Sequence, residues 1–179
     1  DLSAATVFTT ITLPAAVSAW QGHKCLGFGP DGRMFVGGSV TNYKAIAYSD
    51  DDGVAWTVVN TGIGGVAGYN IRCSQQTNSY SVLFGSAIST NQGNLGSWNN
   101  IGWGGGPFQT HANDGAGVFD KLNPSMFFCA SDQGIAASVN NGLNIFEINY
   151  GLEAVAIQDL DMNAAKTLAW TASKSGLRR

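Results

Sequence analysis

Residues 49–56 read Ser-Asp-Asp-Asp-Gly-Val-Ala-Trp, which matches the pattern Ser-x-Asp-x-Gly-x-x-Trp. Weaker copies read Ser-Thr-Asn-Gln-Gly at 89–93 and Ser-Val-Asn-Asn-Gly at 138–142. The glycines of the three copies are spaced by 40 and 49 residues. Because a period of this length holds several short strands, it is typical of a protein built from repeated small β-sheets.

The residue types of this box predict a folding role. A short carboxylate or carboxamide can accept hydrogen bonds from turn amides, the glycine can take a positive φ, and the aromatic residue can pack between sheets. Spacing excludes an EF-type calcium loop, since such a loop needs alternating ligands and a distal Glu, and no metal site is predicted. The residues expected to carry the structural role are Ser49, Asp51, Gly53 and Trp56, then Ser89, Asn91 and Gly93, then Ser138, Asn140 and Gly142. The late aromatics Trp98 and Phe146 are expected to replace the missing box tryptophans.

Four segments around the boxes share the same order of predicted elements: an apolar strand, a turn and a second strand. Turn residues recur between the strands, for example Pro30-Asp31-Gly32 and Asn123-Pro124, and they predict hairpins. The sequence therefore predicts an all-β fold with about three and a half β-propeller blades, each a four-stranded antiparallel sheet. The predicted blades lie near 20–66, 67–110, 111–152 and 153–179, and residues 1–19 form an N-terminal arm or a strand that contributes to ring closure.

These boxes and repeats resemble the Asp-box (BNR) repeat propellers over residues 20–179. That group includes sialidases, xyloglucanase-type glycoside hydrolases, sortilin-like receptors, a photosystem assembly factor, and phage tail or secreted bacterial proteins. The resemblance implies the fold and leaves the activity open, because the same turn occurs beside unrelated functions.

The fourth repeat begins its third strand near Ser175 and stops before a box. Three and a half blades leave an open edge, so we expect a second polypeptide to complete the ring as a hetero-oligomer. The simplest candidate is the C-terminal part of the same precursor, nicked by a protease after Arg179. A boundary of other origin or a natural stop gives the same sequence.

Composition narrows the possible partners. The 179 residues include 24 Gly and only two Glu, a balance that favours strands and turns over helices. With 9 Lys+Arg against 12 Asp+Glu, the net charge of −3 gives no basic surface for nucleic acid, and no apolar run reaches the length of a membrane span. Cys25, Cys73 and Cys129 lie far apart in apolar stretches, so we expect buried thiols, whose redox state the sequence leaves open.

Two enzyme readings follow from the resemblance. A sialidase would bind a carboxylate with three arginines, whereas only Arg33 and Arg72 are internal and the Arg-Ile-Pro motif is missing, so this reading is discounted. A xyloglucanase-type pattern fits residues 98–108 and 131–135 better, and it implies that Asp132 is a catalytic carboxylate. Its partner carboxylate would come from Asp159, Asp161 or the missing part of the ring. The alternative is a structural role, in which Asp132 caps a turn.

Aromatic residues near the glycine run 104–106 suggest a binding surface. Trp103 can stand free as a stacking face for a sugar, with Phe108 and Tyr69 nearby, or can cover the core between two blades. We therefore expect a non-catalytic extracellular or virion-associated propeller that binds glycan or protein through loops on one face, without a cofactor. The alternatives are a glycoside hydrolase acting on a β-glucan through Asp132 and a purely architectural subunit.

Overall fold

The structure is a computed structural model that describes residues 10–40, 43–64, 70–76, 79–101, 117–131, 134–148, 157–173 and 176–178. The described part is all-β, with one helical turn, α1 (Ala15–Ser18), near its start. The strands form four separate antiparallel sheets in chain order. An all-β fold of small antiparallel sheets, as the repeats predicted, is therefore confirmed.

The first two sheets each have four strands joined in sequence. The first sheet consists of β1 (Gln21–Phe28), β2 (Met34–Val40), β3 (Tyr43–Ser49) and β4 (Thr57–Gly64). The second consists of β5 (Ile71–Cys73), β6 (Val82–Phe84), β7 (Ala87–Ser89) and β8 (Trp98–Asn100).

The third sheet also has four strands, and the fourth has three. The third consists of β9 (Gly117–Phe119), β10 (Phe127–Ser131), β11 (Gly134–Ser138) and β12 (Phe146–Glu147). The fourth consists of β13 (Ile157–Met162), β14 (Ala169–Ser173) and β15 (Gly176–Arg178). Each sheet is a meander, since every strand pairs with the next one along the chain.

The sheets pack face to face in the order of the sequence. One apolar cluster joins the first and second sheets, around Phe35 and Phe84. A second joins the second and third sheets, where Leu83 and Ile88 of the second sheet pack with Phe119 and Phe127 of the third. A smaller one, centred on Ile135 and Leu160, joins the third and fourth sheets. Because alternate residues of a strand point to opposite faces, each inner strand serves two neighbouring clusters.

The segment that precedes β1 covers the free face of the first sheet. Val17 and Trp20 are buried against Val36, Ala45 and Ala47. Gly38 makes room for this contact, since a Cβ at Gly38 would lie 2.6 Å from the Trp20 ring. Residues 10–20 therefore occupy the place that a preceding sheet would take.

Candidate functional site: a polar cleft beside the third box turn

The three box turns are residues 49–56, 89–98 and 138–146, and each is organised by the hydroxyl of its first serine. Ser49, Ser89 and Ser138 are buried at the ends of β3, β7 and β11. Each Oγ accepts the amide of the box glycine at 2.8–3.0 Å and, more weakly, the amide two residues after the serine at 3.2–3.3 Å. One serine thus satisfies two turn donors that the sheet leaves unpaired.

The carboxylate and carboxamide positions of the boxes differ in their contacts. Asp51 Oδ1 accepts the Ala55 amide at 2.8 Å, and Asn140 Oδ1 accepts the Asn144 amide at 2.9 Å. The hydrogen bond from the Ala55 amide, followed by the one from the Ser49 hydroxyl, lowers the pKa of Asp51. The prediction fails for the Asn91 side chain, to which no described amide donates. There the Ser97 hydroxyl lies 2.6 Å from Ser89 Oγ and replaces the missing contact.

Each box glycine has a positive φ, as predicted, with values of 88° at Gly53, 75° at Gly93 and 79° at Gly142. The residue before each glycine is also left-handed, although it is Asp52, Gln92 or Asn141. A Cβ on these glycines would lie 2.5–2.7 Å from Ile11, Phe35 and Ile101, respectively. The missing side chain therefore lets each turn contact the element that precedes it in the stack.

The aromatic residues behave as predicted in two boxes and differently in the third. Trp56 Nε1 donates to the Gly53 carbonyl at 3.0 Å, and Trp98 Nε1 donates to the Gly93 carbonyl at 3.1 Å despite its later position. Phe146 is 42% exposed and does not fill the interface between sheets. Ile145 packs there instead, because phenylalanine lacks the N–H that anchors the tryptophans and an extended strand turns its neighbour inward.

Arg33 lies between the first sheet and the second box turn. Its Nε and Nη2 donate to Asp50 Oδ1 and Oδ2 at 2.6 and 3.0 Å, while Nη1 donates to the Gln92 carbonyl at 2.8 Å and Asn94 Oδ1 at 2.9 Å. The guanidinium lies 4.0 Å above the Tyr48 ring. Its donors are therefore used within the protein, and this arginine holds sheets together rather than offering a carboxylate site.

A polar cleft of about 480 Å³ opens where the second sheet meets the third box turn. Its lining includes Asn99 and Asn100 on the edge strand β8 and the turn Asn140–Leu143 opposite them. The seven lining residues are Thr90, Asn99, Asn100, Asn140, Asn141, Gly142 and Leu143. None of these seven described residues ionises, so they offer hydrogen-bonding groups and neither an acid nor a base.

The two walls of the cleft differ in how firmly their side chains are held. Asn141 is fixed, since its amide donates to the Ser125 carbonyl at 2.8 Å and its side chain contacts the Ser81 and Ser125 hydroxyls at 3.3 Å. Asn99 is exposed, and its carboxamide has no described partner. It shares a strand face with Ile101, which contacts Gly142, so Asn99 faces the third box turn whereas Asn100 faces the other way.

A second cavity of about 270 Å³ lies between the third and fourth sheets, with an ion pair at its rim. Lys166 Nζ donates to Asp120 Oδ2, and Asp120 Oδ1 accepts the amides of Leu122 and Asn123 at 2.7 and 2.9 Å. The Lys166 hydrogen bond, helped by those two amides, lowers the pKa of Asp120. Because Asp120 is fully partnered, its role here is to fix the turn.

The four residues predicted to stack on or cleave a glycan, Trp103, Phe108, Tyr69 and Asp132, lie outside the described residues. Asp161, one candidate partner for Asp132, is exposed on β13. Sequence reasoning missed the cleft itself. The usable signal was a pair of asparagines on a strand that directly follows a box, a position that places one carboxamide beside the next box turn.

In the described part of the chain no disulfide joins the three cysteines, of which Cys129 is buried and the other two are half-buried. Burial raises the pKa of Cys73 to about 12, so this thiol is held in its unreactive neutral form. Among the described residues, no cluster of three metal-ligating side chains occurs. The single helical turn of the described part, with four residues, is far too short to cross a membrane.

A scan against protein-family models gives no match, and a search of curated proteins finds no similar sequence.

Proposed function

We propose that this chain is a non-catalytic recognition module, part of a β-propeller outside the cell or on a virion, that binds a neutral glycan in the polar cleft. The observation that carries the proposal is the free Asn99 carboxamide, which faces the firmly held Asn140 and Asn141 across an uncharged cleft.

The chemistry of the cleft suits hydroxyl groups. A carboxamide offers an oxygen acceptor and two N–H donors, and each sugar hydroxyl both donates and accepts. Asn140 keeps its side-chain N–H groups available, since only its Oδ1 is used by Ser138 and Asn144. The cleft volume of about 480 Å³ lies within the range of small-ligand sites. A charged ligand would find no counter-charge among the lining residues.

The proposal has a second part, a separate polypeptide that supplies the remaining blades. The support is that sheet packs on sheet three times in the described chain, each time through an apolar cluster. An architectural role for the chain would use the same contact.

Glycan binding can be tested on the isotope-labelled chain with three defined neutral probes, cellotetraose, chitotetraose and maltotetraose. We expect at least one probe, at millimolar concentration, to shift the side-chain amide signals of Asn99 and Asn140. Asn99→Ala removes one neutral hydrogen-bonding group and should weaken binding by about 3- to 10-fold.

The matched control is Gln75→Ala, which removes an exposed carboxamide that does not line the cleft. It should leave the affinity within about twofold of wild type. Absence of shifts with all three probes, or equal losses in the two variants, would show that the cleft is not a glycan site.

A further inference from the structure

The three interfaces between sheets share the same strand register relative to the box serine. Each box serine pairs with one residue on the neighbouring strand, namely Met34, Val82 or Phe127. The residue after that one is Phe35, Leu83 or Phe128, and in each case it packs towards the following sheet. The same position therefore fills the forward interface every time.

The fourth sheet continues this rule but has no described sheet in front of it. Ala169 packs back onto the third sheet and Thr171 is buried, so Trp170 between them points to the forward face. Its ladder partner is Asp161, which is exposed. Trp170 is half-exposed, and none of the apolar clusters of the described residues includes it.

The opposite end of the stack cannot receive this tryptophan from a second copy. The backward face of the first sheet is covered by Leu13, Val17 and Trp20 of the same chain. Ile11 also lies against Gly53, in the way that Phe35 lies against Gly93. Within the described residues, each backward face is thus already occupied, by a neighbouring sheet or by residues 10–20.

We propose that the forward face of the fourth sheet, centred on Trp170, docks an antiparallel sheet of a different polypeptide, one that presents an apolar backward face and a left-handed glycine turn. This inference rests on the second part of the proposed function. Continuity with three interfaces of the same register identifies the kind of partner, and the large planar indole supplies the buried area. Residues 10–20 keep copies of the chain from stacking on one another.

The experiment uses a variant of this chain as the binding partner of the wild-type chain, and this variant is called the acceptor. Val17→Asp with Trp20→Ser opens the backward face of the first sheet, and Trp170→Asp in the same chain removes its own forward contact. We expect this triple variant to form a one-to-one complex with the wild-type chain in sedimentation velocity runs. It should not associate with a chain that carries Trp170→Asp alone.

Leu95→Asp provides the matched control, because Leu95 is a 74% exposed apolar residue in a box turn away from the forward face. The Leu95→Asp chain should bind the acceptor as the wild type does. Equal binding of the wild-type and Trp170→Asp chains, or no complex between a folded acceptor and the wild-type chain, would overturn the proposal. The full chain with Trp20→Ser and Trp170→Asp, which keeps Val17 in place, is a second acceptor if the first does not fold.

Hydroxyl-radical footprinting of the wild-type chain tests the premise directly. Trp170 should oxidise faster than the buried Trp20 and Trp98. Protection of Trp170 equal to theirs would show that the chain covers its own forward face, which overturns the proposal. Since neither experiment involves a saccharide, failure here is distinguishable from failure of glycan binding at Asn99.

Discussion

The interface between the first and second sheets and the interface between the third and fourth sheets follow the same register and differ in what fills them. The first contains a large aromatic cluster in which Phe35 meets Tyr80 edge to face, with ring centroids 6.4 Å apart, and Arg33 spans its rim. The other has a core of Ala130, Ile135 and Leu160 and one ion pair.

The difference teaches that register sets where sheets meet, whereas side-chain size and the use of polar donors set how firmly they are held. Apolar burial contributes about 25 cal/mol per Å², so an interface with three buried core residues holds its sheets less tightly than one with ten. The fourth sheet should therefore open at a lower free energy than the first two.

The largest effect is expected from Gly93→Ala, which attacks the first interface through its turn. The φ of 75° penalises a Cβ, and that Cβ would lie 2.7 Å from the Phe35 ring. Left-handed strain and overpacking together should lower the free energy of unfolding by about 2 to 4 kcal/mol, measured by urea denaturation.

Gly96→Ala is the control for this measurement, since Gly96 has a φ of 78° in the same turn and open space where the Cβ would lie. It should cost only the conformational part, about 1 kcal/mol. Equal losses in the two variants would show that contact with Phe35 does not matter.

The next effect is expected from Arg33→Ala, which removes the cation that joins Asp50 to the second box turn. The Arg33 side chain is only 12% exposed, and its loss leaves Gln92 and Asn94 without their donor. We expect a loss of about 2 kcal/mol in the free energy of unfolding. Arg33→Lys should recover less than half, because an ammonium cannot bind both carboxylate oxygens and the turn at once. If Arg33→Lys recovers the full free energy of unfolding, the positive charge of Arg33 alone accounts for its effect.

A smaller effect is expected at the other interface from Asp120→Asn, which keeps the acceptor for Leu122 and Asn123 and removes the charge that faces Lys166. The loss at pH 7 should be at most about 1 kcal/mol, since Lys166 is partly exposed. The folded state lowers the pKa of Asp120, so the carboxylate stabilises the fold above its ordinary pKa, and this contribution disappears as the pH falls through the lowered value.

Thermal melts of wild type and Asp120→Asn between pH 7 and pH 2 measure this difference. The gap between the two melting temperatures should be constant near neutrality and close in acid. A gap that persists at the acid end would assign the effect to the turn rather than to the ion pair.

The contacts that could be predicted from the sequence are those between residues close to one another in the chain. Ser49, Gly53 and Trp56 fix one turn among themselves, so their pattern is visible in a linear sequence. Arg33 and Gln92 are 59 residues apart, and their contact depends on how two sheets stack, which no local pattern encodes. The cleft at Asn99 was missed for the same reason. Phe146 was misjudged because phenylalanine lacks the indole N–H that anchors Trp56 and Trp98, and Ile145 packs inward instead.

The smallest effect is expected from Tyr80→Phe. This substitution tests a buried polar group in the interface between the first and second sheets. Tyr80 is fully buried, and its hydroxyl has no hydrogen-bond partner among the described residues, although burial and the nearby Asp31 carboxylate raise its pKa. An unpaired buried hydroxyl costs free energy, so its removal should leave stability unchanged or raise it by up to about 1 kcal/mol. Urea denaturation of the two proteins measures this, and a clear loss in Tyr80→Phe would mean that Asp31 accepts a hydrogen bond from Tyr80. The aromatic contact with Phe35 survives the substitution, so the result separates what the ring contributes to the first interface from what its hydroxyl costs.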